Sequence, residues 1–130
     1  MTASGRVRAK RVYDPPSRLD GRRILVDGLW PRGVDRKAAR INEWARDLAP
    51  STRLRRWFGH DPARWPEFQK RYRAELRTRW DRLEWLADLA RRGPLTLVYA
   101  ARDSDHNNAR ALRRLVAERL RRRGTRRTTR

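Results

Sequence analysis

Apolar residues stand in near alternation with basic ones over residues 7 to 13, VRAKRVY, a period of two that predicts a half-buried strand, and Asp14-Pro15-Pro16 ends it. The segment Ile24 to Trp30, ILVDGLW, opens with a continuous apolar run of strand length, as in a buried central strand, before Pro31-Arg32-Gly33 turns the chain away. Residues 36 to 49 carry Ile41, Trp44, Ala45 and Leu48 at the spacing of one helical face, with a short extended piece around Trp44 as the alternative. Ser51 is placed to cap a short helix that turns Leu54, Trp57 and Phe58 inward and stops at Gly59, because its hydroxyl can accept from an early backbone N–H. Asp61-Pro62 starts the next helical region and Pro66 restarts it. From there Phe68, Tyr72, Leu76, Trp80, Leu83 and Leu86 continue one stripe to about Arg92, and Gly93-Pro94 closes it. LTLVYA, residues 95 to 100, is the clearest strand, and Ala109, Leu112, Val116 and Leu120 repeat at three and four in a last amphipathic helix.

Strand, strand, helices, strand, helix predicts an α/β fold, a single domain over residues 7–120 with a small, mainly parallel sheet flanked by helices. Residues 1–6 and 121–130 are expected to be disordered ends; the second of these, RRRGTRRTTR, holds six arginines and no acid or large apolar residue. The order of the strands is not fixed by this pattern.

Composition changes the picture in one respect. The 130 residues include 35 basic and 15 acidic ones, for a net charge of +20, and among the basic residues only Lys10, Lys37 and Lys70 are lysine. One reading is a polyanion partner such as nucleic acid, held by salt-sensitive phosphate contacts. The other is compositional, since a G+C-rich genome encodes arginine in place of lysine whatever the function. The absence of cysteine excludes disulfides, thiolate metal sites and cysteine nucleophiles. No apolar run reaches membrane-span length, and the N-terminal residues lack the apolar stretch of a signal peptide, so a cytoplasmic protein is expected. With His60 and His106 as the only histidines, no imidazole-based metal site is expected.

Candidate chemistry gathers where two strands end, because open parallel sheets bind ligands beyond the carboxyl ends of their strands. Trp44, Trp57, Trp65, Trp80 and Trp85 fall on or near helical stripes and read as core. Trp30, at a strand end, suits either stacking on a flat ligand or a structural plug. Arg32, between a proline and a glycine, is set either to clamp a carboxylate or phosphate or to pair with Asp27. In Asp103-Ser104-Asp105-His106-Asn107-Asn108 a helix start favours anions and His106 can act as a general acid or base, although capping alone also calls for Asp, Ser and Asn here. His60, after Gly59, is a second proton carrier or a helix terminator. No Ser–His–Asp spacing, phosphate-binding glycine loop, dinucleotide fingerprint or nucleic-acid reading motif is present.

The segments KRVYDPP (10 to 16), RILVDGLWPRGV (23 to 34), EWARDLAPSTRLRRWFGHDPARWPEF (43 to 68), RYRAEL (71 to 76) and LTLVYAARDSDHNNA (95 to 109) together resemble the YeaO-like family, the domain of unknown function 488. The resemblance implies a small bacterial α/β cytoplasmic protein of no assigned activity. It places the family's polar signature on Arg32, Ser51, Arg55, His60, Asp103, His106 and Asn107. Two positions depart from it: Gly28, usually arginine in relatives, and Ala101, often serine. The resulting expectation is an anion-binding cleft for a phosphate, nucleotide or carboxylate, with Trp30, Arg32, Ser51, Arg55 and Asn107 as ligand contacts. His106, His60 and Asp103 handle the proton, and no metal or cofactor is implied. The rival expectation is a non-specific nucleic-acid-associated or regulatory protein using the arginine-rich surface and tail, and a third is a scaffold in which every motif residue pairs internally. No membrane partner is expected.

Overall fold

A computed structural model describes residues 6–128, with side chains as far as Arg122. The strands are β1 (Val7–Arg11), β2 (Arg22–Leu25), β3 (Glu43–Trp44) and β4 (Leu95–Tyr99), and the helices are α1 (Thr52–Phe58), α2 (Trp65–Glu75), α3 (Trp80–Arg92) and α4 (Asn108–Thr128). All strand pairs are parallel, in the order β1-β4-β2-β3. β4 lies between β1 and β2, and all five of its residues are buried, as its almost wholly apolar sequence allows; its one polar side chain, Thr96, donates its hydroxyl to the Asp20 carbonyl at 2.8 Å. Val7 pairs with Leu95 on one side of it and Ile24 with Leu97 on the other.

The two faces of the sheet differ. Ile24, Val26, Leu95, Leu97 and Tyr99 join side chains from all four α-helices in the main core. On the opposite face Leu25 and Val98 join Val12, Ala39 and Ile41, and no α-helix takes part, so the chain between β1 and β3 covers that face instead. This small second core carries a buried ion pair: Arg23 Nη1 lies 2.7 Å from Asp20 Oδ2, Lys10 Nζ lies 3.1 Å from the same oxygen, and Arg23 Nε donates to the Ala39 carbonyl at 2.9 Å. Between them, Gly21 adopts φ 63° against the start of β4, where an added Cβ would stand 2.1 Å from the Pro94 carbonyl oxygen.

The structure corrects several expectations. Over residues 36 to 49 the structure takes the extended alternative around Trp44 and not the helical face: a turn, the two-residue β3 and a 3-10 turn at Arg46–Leu48, because Asn42 N and Ala45 N donate to the Arg23 and Leu25 carbonyls and draw the segment in as an edge strand. The stripe from Phe68 to Leu86 is divided by a 3-10 turn at Leu76–Arg79. Periodicity gives no sign of the break, because Phe68, Tyr72, Leu76, Leu83 and Leu86 are buried and keep helical spacing on either side of it. Trp80, read as core, is 40% exposed beneath the Arg119 guanidinium. The first two strands end at Arg11 and Leu25, short of the expected Tyr13 and Trp30. α4 extends to Thr128, past the expected boundary at Leu120, while residues 1–5, in the segment expected to be disordered, lie outside the described residues, as do the side chains beyond Arg122.

Glu84 joins α3 to α4, accepting from Arg91 Nη1 at 2.7 Å and Arg119 Nε at 2.8 Å. Burial pushes its carboxyl up, but the two guanidinium groups outweigh that and hold it at about 2. A depressed folded-state pKa confers stability that is complete above the ordinary glutamate range and is lost as pH falls toward about 2. In acid titrations of stability followed by circular dichroism, Glu84→Gln is expected to flatten that limb, and an unchanged profile would show that the ion pair contributes nothing.

Candidate functional site

The strand order creates a switch point between β4 and β2. From β4 the chain passes into α4, which packs back over β4 and β1, whereas from β2 it leaves for β3 on the other side. A cavity of about 360 Å³ opens beyond the carboxyl ends of these two strands. Its walls are aromatic, with Trp30, Phe58 and Phe68, and its polar groups are Asp27, Arg55, His60, His106, Asn107 and Asn108.

Asp27 lies two residues beyond the end of β2 and is tied to the residue after β4 and to the first residue of α4. Its Oδ2 accepts from Ala100 N at 2.9 Å and its Oδ1 from Asn108 Nδ2 at 3.1 Å, while the same amide donates to the Val26 carbonyl at 2.9 Å. Burial raises the Asp27 carboxyl above the usual carboxylate range, against the opposing pull of Asn108, the Ala100 N–H and the Arg55 charge. Arg55 lies on α1, whose first turn is capped by Ser51 Oγ accepting from Leu54 N at 3.1 Å. Its guanidinium is exposed and has no hydrogen bond or salt bridge among the described residues.

His106 is held by its own loop. Asp103 Oδ2 lies 2.9 Å from His106 Nδ1, and Asp103 Oδ1 accepts from the N–H groups of Asp105 at 2.9 Å and His106 at 3.1 Å. The contact with His106 is the chief cause that holds the Asp103 carboxyl below its ordinary range. A carboxylate on Nδ1 fixes the ring and leaves Nε2 as the nitrogen that can meet a ligand. The ring also stands edge-on to Trp65, with centroids 5.4 Å apart. His60 follows Gly59, and both residues are left-handed, with φ 54° and 58°. For a residue with a Cβ that conformation is uncommon and is found where surrounding structure enforces it.

Of the residues singled out from sequence, the structure therefore brings Trp30, Arg55, His60, His106 and Asn107 to one cavity, with Asp103 behind His106. Asn107 is already engaged, since its Oδ1 accepts from Arg110 N and its Nδ2 donates to the Asp103 carbonyl, both at 2.9 Å. The Trp30 indole is both wall and plug: it lines the cavity, donates Nε1–H to the Val34 carbonyl at 2.9 Å and meets Trp44 edge-on. Arg32 and Ser51 do not line the cavity. The Arg32 side chain is exposed and does not form the alternative pair with Asp27, whose oxygens are taken by Ala100 and Asn108. The Ser51 hydroxyl donates to Glu75 Oε2 at 2.5 Å. Asp27, named from sequence only as a partner for Arg32, and Asn108, named only within the polar cluster, are the cavity's polar residues that sequence reasoning gave no role in the site; an acid placed immediately after an apolar strand run, ILV, was the available signal for the first. Gly28 and Ala101 both line the cavity, and an added Cβ at Gly28 would meet only Ala49 Cβ, at 3.5 Å. Among the described residues no group of three or more His, Asp or Glu side chains is arranged to hold a metal, and no helix is long and apolar enough to cross a membrane.

Known proteins resemble this chain over most of its length. It is 42% identical over 103 residues to "Uncharacterized protein YeaO" of Escherichia coli (strain K12), covering 79% of this chain and 90% of that protein. Over 116 residues it is 39% identical to "Uncharacterized protein Mb3100c" of Mycobacterium bovis and to "Uncharacterized protein Rv3073c" of Mycobacterium tuberculosis, covering 89% of this chain and 98% of each. No solved structure gives a significant match. The family description DUF488-N3i matches residues 6–129, and the chain belongs to that family, the "Inactive DUF488-N3 subclade".

Proposed function

We propose that the protein binds a small organic anion in the cavity between β2 and β4, with Arg55 facing the phosphate or carboxylate and the aromatic wall of Trp30, Phe58 and Phe68 receiving a ring. A nucleotide or phosphorylated metabolite is the ligand class that fits both parts. The observation that carries this reading is the Arg55 guanidinium, unpaired among the described residues, at a cavity with a buried acid in its lining. A bidentate guanidinium contact supplies affinity and orientation, and His106, fixed by Asp103, offers Nε2 as a further partner. The family's description as an inactive subclade supports binding without turnover, and so does the lack of functional side chains at the cavity-lining Gly28 and Ala101. The test is a thermal-shift screen against nucleotides and phosphorylated metabolites. A ligand present at 100 times its Kd stabilises the fold by about 2.7 kcal/mol, which is expected to raise Tm by several degrees in the parent protein and to vanish in Arg55→Ala. A screen without a single shift, or an equal shift in the variant, would overturn the reading.

A second reading, non-specific nucleic-acid association, is favoured by one observation: Arg110, Arg113, Arg114 and Arg121 line a single groove along α4, which they share with the acids Asp105 and Glu118. It requires affinity for duplex or single-stranded nucleic acid that falls by about 10³-fold or more between about 50 and 200 mM salt, as neutralising six or more phosphates implies. Fluorescence anisotropy across that range checks it, and absence of binding at low salt would eliminate it.

A further inference from the structure

A second cavity, of about 590 Å³, adjoins the first and shares His60, Ala100 and Ala101 with it. Its other lining residues are Arg11, Tyr13, Arg102 and Asp103. The two chambers differ in chemistry: one is aromatic with a buried acid, whereas the other presents two guanidinium groups. Its one carboxylate, Asp103, is already engaged by His106 and two backbone N–H groups. Arg11 is held in place at the end of β1, since Nε donates to the Ala101 carbonyl at 3.2 Å and the guanidinium lies 4.8 Å from the centre of the Tyr13 ring. Tyr13 is fixed in turn by its hydroxyl, which donates to the Arg32 carbonyl at 2.9 Å. That arrangement leaves the two terminal nitrogens of Arg11 for a ligand. Arg102 is exposed and has no hydrogen bond or salt bridge among the described residues. His60 stands where the chambers meet, in its left-handed conformation.

We propose that the chamber of Arg11 and Arg102 is a second anion subsite, continuous with the first across His60, so that the ligand is an organic molecule with a ring and two anionic groups, of the nucleoside diphosphate class. This rests on the reading of the first cavity as the ring- and anion-binding site. The ring sits against Trp30, Phe58 and Phe68, the nearer anionic group faces Arg55, and the outer one is held by Arg11 and Arg102. Two guanidinium groups, one of them oriented by a backbone carbonyl and an aromatic ring, favour a group with several acceptor oxygens, such as a terminal phosphate, over a single carboxylate.

Isothermal titration of the full chain with adenosine monophosphate and adenosine diphosphate tests the proposal in the parent, in Arg102→Gln and in Arg11→Gln/Arg102→Gln. The diphosphate is expected to bind at least about tenfold more tightly than the monophosphate in the parent, as one additional charge-assisted contact provides. The advantage should shrink in Arg102→Gln, whose side chain supports nothing else in the fold, and disappear in the double variant, with monophosphate affinity retained in both. Equal affinities in the parent, or an advantage that survives both variants, would overturn the second subsite and leave the first cavity's role standing. Failure of both nucleotides to bind the parent would overturn the nucleoside diphosphate assignment, and the first cavity's role would be decided by the thermal-shift screen alone.

Discussion

Asp20→Ala is expected to lower the free energy of unfolding by about 3–5 kcal/mol, the cost typical of removing one partner from a buried ion pair. Arg23 is 2% exposed, and without Asp20 its guanidinium keeps only the Ala39 carbonyl as a polar partner inside the second core. The Asp20 carboxylate also accepts from Ser17 N at 3.0 Å, so its half of the capping box on the turn that delivers the chain to β2 is lost in the same step. Urea denaturation followed by tryptophan fluorescence gives the difference. Asp20→Ala/Arg23→Met should recover most of the loss, because removing both charges leaves no buried guanidinium uncompensated. If the single variant costs less than about 1 kcal/mol, the level of a solvent-exposed pair, the pair is not stabilising this face.

Gly21→Ala is expected to be comparably damaging, for a reason that involves no polar group. The residue needs φ 63° with ψ −133°, a combination that side chains essentially do not adopt, and its missing Cβ leaves room for the Pro94 carbonyl. A methyl group 2.1 Å from that oxygen would push β2 and β4 apart at the point where Arg22 N donates to the same oxygen at 3.1 Å. Strain of about 1–3 kcal/mol from the backbone adds to a comparable overpacking cost of about 1–3 kcal/mol. Thermal unfolding monitored by circular dichroism should show a much lower midpoint or no cooperative transition; a midpoint within a few degrees of the parent would contradict the geometry. Both substitutions lie at the amino ends of the strands, whereas the cavity lies at the carboxyl ends. The protein therefore keeps its costliest local packing at the far end of the sheet from the residues offered to a ligand.

Much of this layout is legible in the residue pattern, where local signals suffice. LTLVY, flanked by Gly93-Pro94, can hardly be anything but a buried strand, and Ser51 caps the helix it precedes. His60 and His106 stand beside a helix stop and a helix start, the positions that parallel sheets turn toward ligands, whereas Arg55, midway along α1, is marked only by the resemblance to the family. What the pattern hides is pairing across distance. Asn108 meets Asp27 across 81 positions, and no periodicity encodes that contact. Arg23 reads as one more surface arginine among many, yet it is among the most deeply buried side chains in the described structure. β3 is only half visible: an extended piece around Trp44 is one of two readings of residues 36 to 49, since two residues carry no period, and only the register against Ile24 and Leu25 decides for the strand. Arg32 shows the converse, because a striking local context, Pro-Arg-Gly, does not by itself bring a side chain to the cavity.

The position of β4 bears on how the chain is made. β4, an inner strand, is the last of the described strands to be synthesised, and until Leu95–Tyr99 has emerged, β1 and β2 have no common partner to line up against. A nascent chain of some ninety residues thus holds a sheet with its centre absent, and only the brief β2–β3 pairing is open to it. Assembly of the native sheet is deferred until β4 and α4 have been made, when one strand inserts between two waiting edges and the helix after it closes over them.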